Sequence, residues 1–299
     1  MTGWSLVAYR PAADEGKSPS RVGVRFESGA LVAPPDLAAY PGVLEVMQDW
    51  DRAARALRSA SLSKAPVVER YALDLPLRYP RKVLCSGPNY VDHLAEMGES
   101  FGAEWRPYFF LKPPTTALVM DGDPVLISGA ADERADWEGE LAVVIGRGGR
   151  DIPVREALDH VGGYTVVNDI SLRGPHRRQD VPAPFVWDWL ASKGADTSLP
   201  MAFDVVPAWH VDDPQDLVVQ TRLNGELVQS APTSLMVCTV AELVSEASRL
   251  VTLEPGDVIA TGTPSGVGAG RGVFLSDGDE VEVTVAGIGR VSNPVRTRT

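Results

Sequence analysis

At 299 residues, with 44% apolar and 23% charged side chains, the chain can bury a full core and has the balance of an ordinary globular protein. A net charge of -12 leaves no basic stripe to release phosphate counterions, which excludes nucleic acid as the expected partner. No apolar run reaches the length of a membrane span and the N-terminus lacks a signal-peptide pattern. Two cysteines, Cys85 and Cys238, lie in apolar stretches as expected buried thiols, so a cytoplasmic protein with no membrane association is expected.

In chain order, WSLVAY (4–9) and RVGVRFESGALVA (21–33) read as short strands, the second a pair joined around Glu27-Ser28-Gly29. Steps of four and three through Val43, Met47, Trp50, Ala54 and Leu57 predict one amphipathic helix within residues 40–60. Prolines at 66, 76 and 80 mark residues 65–80 as a connecting arm. Residues 1–75 are therefore expected to form a small N-terminal α/β unit and residues 76–299 the larger catalytic domain. There, RKVLCSG reads as a buried strand. DLVVQTRLNGELVQ reads as a hairpin turning at Asn224-Gly225, and Val281, Val283 and Val285 alternate along another strand. A helix puts Leu243, Ala247 and Leu250 on one side before a Pro255-Gly256 turn. Many strands, few helices and no strand–helix alternation predict an α+β, β-rich fold, a mixed roll or barrel.

The stretch ADWEGELAVVIG carries the first chemistry. With a side-chain period of two, Glu138 and Glu140 share a face at the mouth of a strand that is apolar on both sides. Two such carboxylates cannot both stay ionised unaided, so one holds a proton or a cation sits between them. GGYTVVND ends in Asp169, and if both strands end on the same side of a sheet the three acids converge. Three carboxylates without His or Cys suit a hard cation such as Mg²⁺ or Mn²⁺. A solvated strand edge with Asp169 capping a turn fits the same letters.

In SGPNYVDHLAEMG, a helix capped by Asn89 would place His93 and Glu96 on one face, where a carboxylate-held imidazole can take a proton from water. A surface histidine beside a surface glutamate has the same spacing. His160, His176 and His210 are not expected to act as the base. LEPGDVIATGTPSGVGAG lacks the GK[ST] of a phosphate loop. Its glycines instead let backbone N–H groups approach a carboxylate or oxyanion.

KVLCSGPNYVDHLAE, YFFLKP, DWEGELAVVIG, VVNDISLR, SKGADTSLP, LNGELVQ and LEPGDVIATGTPSGVG stand in the order seen in the fumarylacetoacetate hydrolase family, which the chain resembles over roughly residues 80–295. The resemblance implies a mixed β-roll, usually a homodimer, that binds Mg²⁺ (or Mn²⁺ or Ca²⁺) and acts on a small-molecule 2-oxo acid or its enol. It implies Glu138, Glu140 and Asp169 as metal ligands, His93 and Glu96 as a water-activating dyad, and Lys193 as the neutraliser of developing charge. Thr263 matches a substrate-carboxylate position, and Lys112, Arg173 and Gln229 match further substrate-binding positions.

The implied reaction is metal-dependent hydrolysis of a C–C bond in an acylpyruvate-like substrate through a stabilised enolate. Decarboxylation of an oxaloacetate-like acid, or hydration or isomerisation at the same site, is the alternative, and a catalytically silent binding or scaffold protein is a second. One departure is Gly174, where the family has an acid, which leaves Arg173 for another partner. The other is the long 174–192 segment with Arg177, Arg178, Phe185, Trp187 and Trp189, expected as a lid or as a loop packed on a dimer partner.

Overall fold

Gly139–Ile145 and Val161–Asn168 are strands buried along their whole length, and they pair antiparallel from Gly139 opposite Asn168 to Ile145 opposite Val161. The computed structural model, which describes residues 3–12, 19–102 and 105–298, shows what covers them. Ala142 and Val144 face a core shared with Met47 and Trp50 of the N-terminal unit, while Leu141, Val143 and Ile145 face a second core with Val240, Val244 and Ala247. Burying each of the Val, Leu and Ile side chains contributes about 1.5–3 kcal/mol, which is why the run shows no alternation.

Around this pair lies an eight-stranded mixed sheet in the order Phe109–Leu111, Val83–Ser86, Val258–Ala260, Gly139–Ile145, Val161–Asn168, Leu199–Met201 and Leu118–Met120, with Val206–Pro207 also on Val161–Asn168. Val83–Ser86 runs parallel to Val258–Ala260, and Leu118–Met120 parallel to Leu199–Met201. A five-stranded sheet, Glu226–Pro232, Val218–Leu223, Glu280–Val285, Gly289–Thr297 and Val125–Ile127, packs Val219, Val283 and Val291 into the second core. The sheets curl into a half-barrel, the β-rich α+β class that the element pattern predicts.

The N-terminal strands form a separate sheet, Leu31–Val32, Arg21–Phe26, Trp4–Pro11 and Tyr71–Asp74. Its last member lies inside the expected connecting arm. The prolines only bracket the Tyr71–Asp74 stretch, which is free to pair antiparallel with Trp4–Pro11. The single helix expected over 40–60 is two, Val43–Gln48 and Trp50–Ser59, broken at Asp49, whose carboxylate accepts the Tyr40 hydroxyl at 2.6 Å. The break lets Trp50 stack on Trp209, with ring centroids 5.2 Å apart.

The Asn224-Gly225 turn forms as expected, with φ of 50° and 83°. Helix Val240–Leu250 starts with a Thr239–Glu242 capping box and buries Val240, Leu243, Val244 and Ala247. Leu250 is exposed, although Ala247 and Ser248 in the same last turn are buried.

Candidate active site

Antiparallel pairing brings the entrance of one central strand to the exit of the other. Glu138 therefore sits beside Asp169, whose N–H donates to the Glu138 carbonyl at 2.8 Å, and the Glu138 N–H donates to Asn168 Oδ1 at 2.9 Å. Glu140, two residues along, leaves the strand on the same face. One oxygen from each of the three carboxylates lies within 4.8 Å of the others, and all three acids are buried. A solvated strand edge does not describe them.

Cations enclose the cluster. Lys193 Nζ donates to Glu138 Oε2 at 2.7 Å and Asp169 Oδ2 at 2.8 Å. Arg173 donates from Nη2 to Glu138 Oε1 at 2.7 Å and from Nε to Asp136 Oδ2 at 2.8 Å. Asp136, unnoticed in the sequence, is thus the acid that Arg173 takes in place of one at 174. It also accepts N–H bonds from Gly268 at 2.6 Å and Ala269 at 3.0 Å. Asp136, Glu138 and Glu140 are spaced by two in the sequence, but Asp136 lies in a separate short strand, Ala135–Asp136.

Gly174 itself has a steric reason: a Cβ there would stand 1.6 Å from the Asp132 carbonyl oxygen, so the backbone passes where no side chain fits. Lys112, matched to a substrate-binding position, is instead enclosed behind the cluster. Its ammonium lies 2.7 Å from Asp169 Oδ1 and donates to the carbonyls of Ser198 at 2.7 Å and Ile170 at 2.9 Å. It orients Asp169 and has no surface toward the cavity.

The electrostatics differ sharply between neighbours. Burial pushes the Glu138 carboxyl up, but the charges of Lys193, Arg173 and His93 outweigh it and hold the group well below the usual carboxylate range. Glu140 is pushed the other way, by burial first and then by Asp169 and Glu138, against weaker help from Lys193 and the Gly262 N–H. Lys193 loses by burial but is held above its ordinary value by Asp169 and Glu138.

Glu140 also supplies the test for a metal. Its Oε2 accepts the Gly262 N–H at 2.7 Å, whereas Oε1 is buried with no partner. An orphaned carboxylate oxygen with raised proton affinity, beside two further carboxylates and no thiolate or imidazole among them, is the donor set of a hard divalent cation. Glu138, Glu140 and Asp169 fit such an ion.

His93 reaches the same cavity from helix Val91–Glu96. Its Nδ1 lies 3.1 Å from Glu96 Oε2, so Nδ1–H donates to Glu96 and Nε2 is left to act as acceptor. The helix is entered through Tyr90 rather than capped by Asn89. Asn89 points inward and ties three segments together, donating to the carbonyls of Cys238 at 3.0 Å and Thr261 at 2.9 Å and accepting the Cys238 N–H at 2.8 Å.

The glycine-rich stretch does present N–H groups to carboxylates, and they are the chain's own: Gly262 to Glu140, Gly266 to Glu96 at 3.0 Å, and Gly268 to Asp136. Gly262, at φ +91°, has the left-handed backbone this approach requires. Thr263 lines the cavity, and its hydroxyl donates to the Gly139 carbonyl at 2.9 Å. Gln229 stands one layer back with all its polar atoms engaged, to Thr263 Oγ1, the Pro264 carbonyl, the Gly139 N–H and the Thr221 hydroxyl.

The cavity encloses about 150 Å³. Over it, residues 176–188 close on themselves, with the Asp188 N–H on the His176 carbonyl at 2.9 Å and the Arg178 N–H on the Val186 carbonyl at 2.8 Å. Trp189 stacks on Phe110 at 5.2 Å and meets Tyr108 edge-on at 5.5 Å, so the inner side of this segment packs on its own chain. Its outer side leaves Phe185 61% and Trp187 58% exposed.

A curled mixed sheet that gathers three carboxylates under a His–Glu dyad defines a divalent-metal enzyme site. Residues 82–296 match the family model described as fumarylacetoacetate (FAA) hydrolase, C-terminal, and the chain belongs to the fumarylacetoacetate hydrolase family, whose members are metal-dependent hydrolases, isomerases or lyases. It is 38% identical over 288 residues to oxaloacetate tautomerase fahd2, mitochondrial, of Xenopus laevis, covering 93% of this chain and 87% of that one. It is 38% identical over 274 residues to oxaloacetate tautomerase YisK of Bacillus subtilis, covering 87% and 88%. The structure of maleylpyruvate hydrolase from Sphingobium sp. SYK-6 with manganese(II) and pyruvate superposes with a TM-score of 0.77 at 26% identity, over 99% of this chain and 100% of that one. Among the described residues, no helix is long and apolar enough to cross a membrane.

Proposed function

We propose that this enzyme interconverts the enol and keto forms of a small 2-oxo dicarboxylic acid of oxaloacetate size. The observation that carries the reading is the cavity: Glu138 and Glu140 of the three-carboxylate cluster and His93 of the His93–Glu96 dyad line one space of about 150 Å³, with Asp169 and Glu96 directly behind them. That is roughly the room that holds one benzene ring, enough for a four-carbon acid, and the cavity opens to solvent on one side. The names of the Xenopus and Bacillus relatives support it.

Glu138, Glu140 and Asp169 would hold a divalent ion, Mg²⁺ or Mn²⁺, which would supply Lewis acidity toward the 2-oxo oxygen. In the ketone-forming direction, protonated His93 delivers its Nε2 proton to the carbon beside that oxygen while the enol oxygen releases one to solvent. Solvent then restores the His93 proton, and the reverse direction takes the same steps backwards. Glu96 fixes the ring and stabilises the imidazolium between steps. Lys193, buried against Glu138 and Asp169, offsets charge as it develops on the substrate oxygen. Phe110, Tyr108 and Trp189 exclude bulk water from the enol.

Hydrolysis of an acylpyruvate is the second reading, favoured by the same dyad, which can equally activate water, and by the likeness to maleylpyruvate hydrolase. NMR product analysis with oxaloacetate and with an acylpyruvate, each with Mg²⁺ and with EDTA, separates them. Metal-dependent acceleration of keto–enol exchange without pyruvate is the expected result. Metal-dependent pyruvate plus a free acid from the acylpyruvate would establish hydrolysis instead, and CO₂ loss from oxaloacetate would establish decarboxylation.

A homodimer is part of the proposal, with a second copy covering Phe185, Trp187 and Leu190, all more than half exposed. A monomer mass by light scattering would refute it. A cytoplasmic location accords with two buried free thiols. Residues 1–75 are proposed as the N-terminal unit, since its last strand ends at Asp74.

A further inference from the structure

Three buried polar atoms on residues lining the cavity lack a hydrogen-bond partner: Ser86 Oγ, Glu140 Oε1 and His176 Nε2. Glu140 belongs to the carboxylate cluster, but His176 has no part in the chemistry described so far. Its ring meets Trp189 edge-on at 4.6 Å and Trp187 at 5.0 Å, and its carbonyl accepts the Asp188 N–H, so the imidazole is held within residues 176–189. Burial first, and then the charges of Lys193 and Arg173, keep it less basic than an ordinary histidine. A neutral ring has one N–H and one lone pair, and a buried one left unpaired weakens the fold unless a ligand completes it. Arg173 is committed to Asp136 and Glu138, and Lys193 to Glu138 and Asp169, so both nearby cations are engaged at the cluster.

We propose that His176 Nε2–H donates to the distal carboxylate of a bound 2-oxo dicarboxylate, and that this contact sets the preference for ligands that carry a distal carboxylate over ligands that lack one. The inference rests on the reading of the cavity as a 2-oxo acid site. The 2-oxo acid end would be claimed by the divalent cation that Glu138, Glu140 and Asp169 fit, since the carboxylates by themselves repel it. In so small a space the other end of a four-carbon acid reaches the wall where His176 stands.

The test is binding to the Mn²⁺-loaded protein by titration calorimetry, with two unreactive probes: 3,3-difluorooxaloacetate, which carries the distal carboxylate, and oxalate, which lacks it. His176→Phe keeps a ring against Trp187 and Trp189 and removes the donor, while His176→Gln restores a donor. The expected result is that His176→Phe weakens difluorooxaloacetate about tenfold, the scale of one hydrogen bond to a charged group, and leaves oxalate within about twofold. His176→Gln should recover most of the loss. Equal weakening of both probes, or unchanged binding of difluorooxaloacetate, overturns the proposal. A wild-type protein that binds both probes with this pattern yet does not tautomerise oxaloacetate refutes the proposed reaction and leaves the His176 contact standing.

Discussion

Two groups of buried acids, one at the N-terminal sheet and one at the cavity, are treated in opposite ways. Asp74 and Asp204, at the N-terminal sheet, are completed by their surroundings. Asp204 accepts from Ser5 at 2.5 Å and from both Nε and Nη2 of Arg25. Asp74 accepts from Arg10 at 2.6 Å, Arg78 at 2.8 Å, the Leu75 N–H at 2.9 Å and Ser20. In the cavity, Glu140 is just as buried and keeps an oxygen without a partner. A paired buried acid is explained by the fold, whereas an unpaired one beside two others needs something the chain does not supply.

The largest expected effect breaks the second region and spares the first. Glu140→Gln removes the anionic ligand while keeping its shape, and metal-dependent turnover should fall by about 10³-fold or more. Thermal unfolding gives a second readout. Wild-type protein should gain about 2.7 kcal/mol at a metal concentration a hundred times Kd, and the variant should gain nothing. A full metal-induced shift in the variant would place the ion elsewhere.

His93→Ala acts one step further from the ion. Turnover should drop two to four powers of ten with the metal-induced stabilisation intact. Near-normal rates in a folded, metal-responsive variant would remove His93 from the mechanism. Asp136→Asn is smaller again. It loosens Arg173 behind Glu138 and weakens the anchor for the Gly268 and Ala269 N–H groups, so metal affinity or kcat should fall about 10- to 100-fold. An Arg173→Lys variant, unable to bridge Asp136 and Glu138 with one planar group, should fall in the same range.

How much of this was legible from the letters follows the physics of each signal. The Glu138–Glu140 strand was legible because period two and a doubly apolar run are local properties. Convergence with Asp169 was legible once the strands' direction was supposed, and the antiparallel register supplies it. Asp136 was hidden because Asp136 belongs to a different, two-stranded ladder with Ser171–Leu172, so its tie to Arg173 is a tertiary fact. Lys112 and Gln229 resembled substrate-binding positions, but residue type alone cannot tell a side chain that faces the cavity from one a layer behind it. The strand at Tyr71–Asp74 was masked by flanking prolines that speak for their own positions and not for the residues between them. His176 was set aside as a base, and its orphaned nitrogen becomes visible only when Trp187 and Trp189 are in place around it.

The smallest effect tests the first region. Burial raises the Asp74 carboxyl's proton affinity, but Ser20, the Leu75 N–H, Arg78 and Arg10 together outweigh it and hold the group below its ordinary value of 3.8. A carboxylate with a depressed folded value stabilises the fold fully above the unfolded value. That contribution is lost as pH falls through the depressed one, because the unfolded chain binds its proton first. Asp74→Asn should therefore cost about 1–3 kcal/mol at neutral pH, a modest amount because Arg10 and Arg78 are partly solvated. The gap from wild type in urea unfolding should narrow once the pH drops below 3.8. Turnover per folded molecule should be unchanged, since Asp74 lies in the N-terminal sheet and does not line the cavity. A gap that stays constant down to the lowest pH at which both proteins remain folded would mean that Asp74 acts by packing rather than by charge. The contrast between completed and incomplete acids would then hold for Asp204 alone.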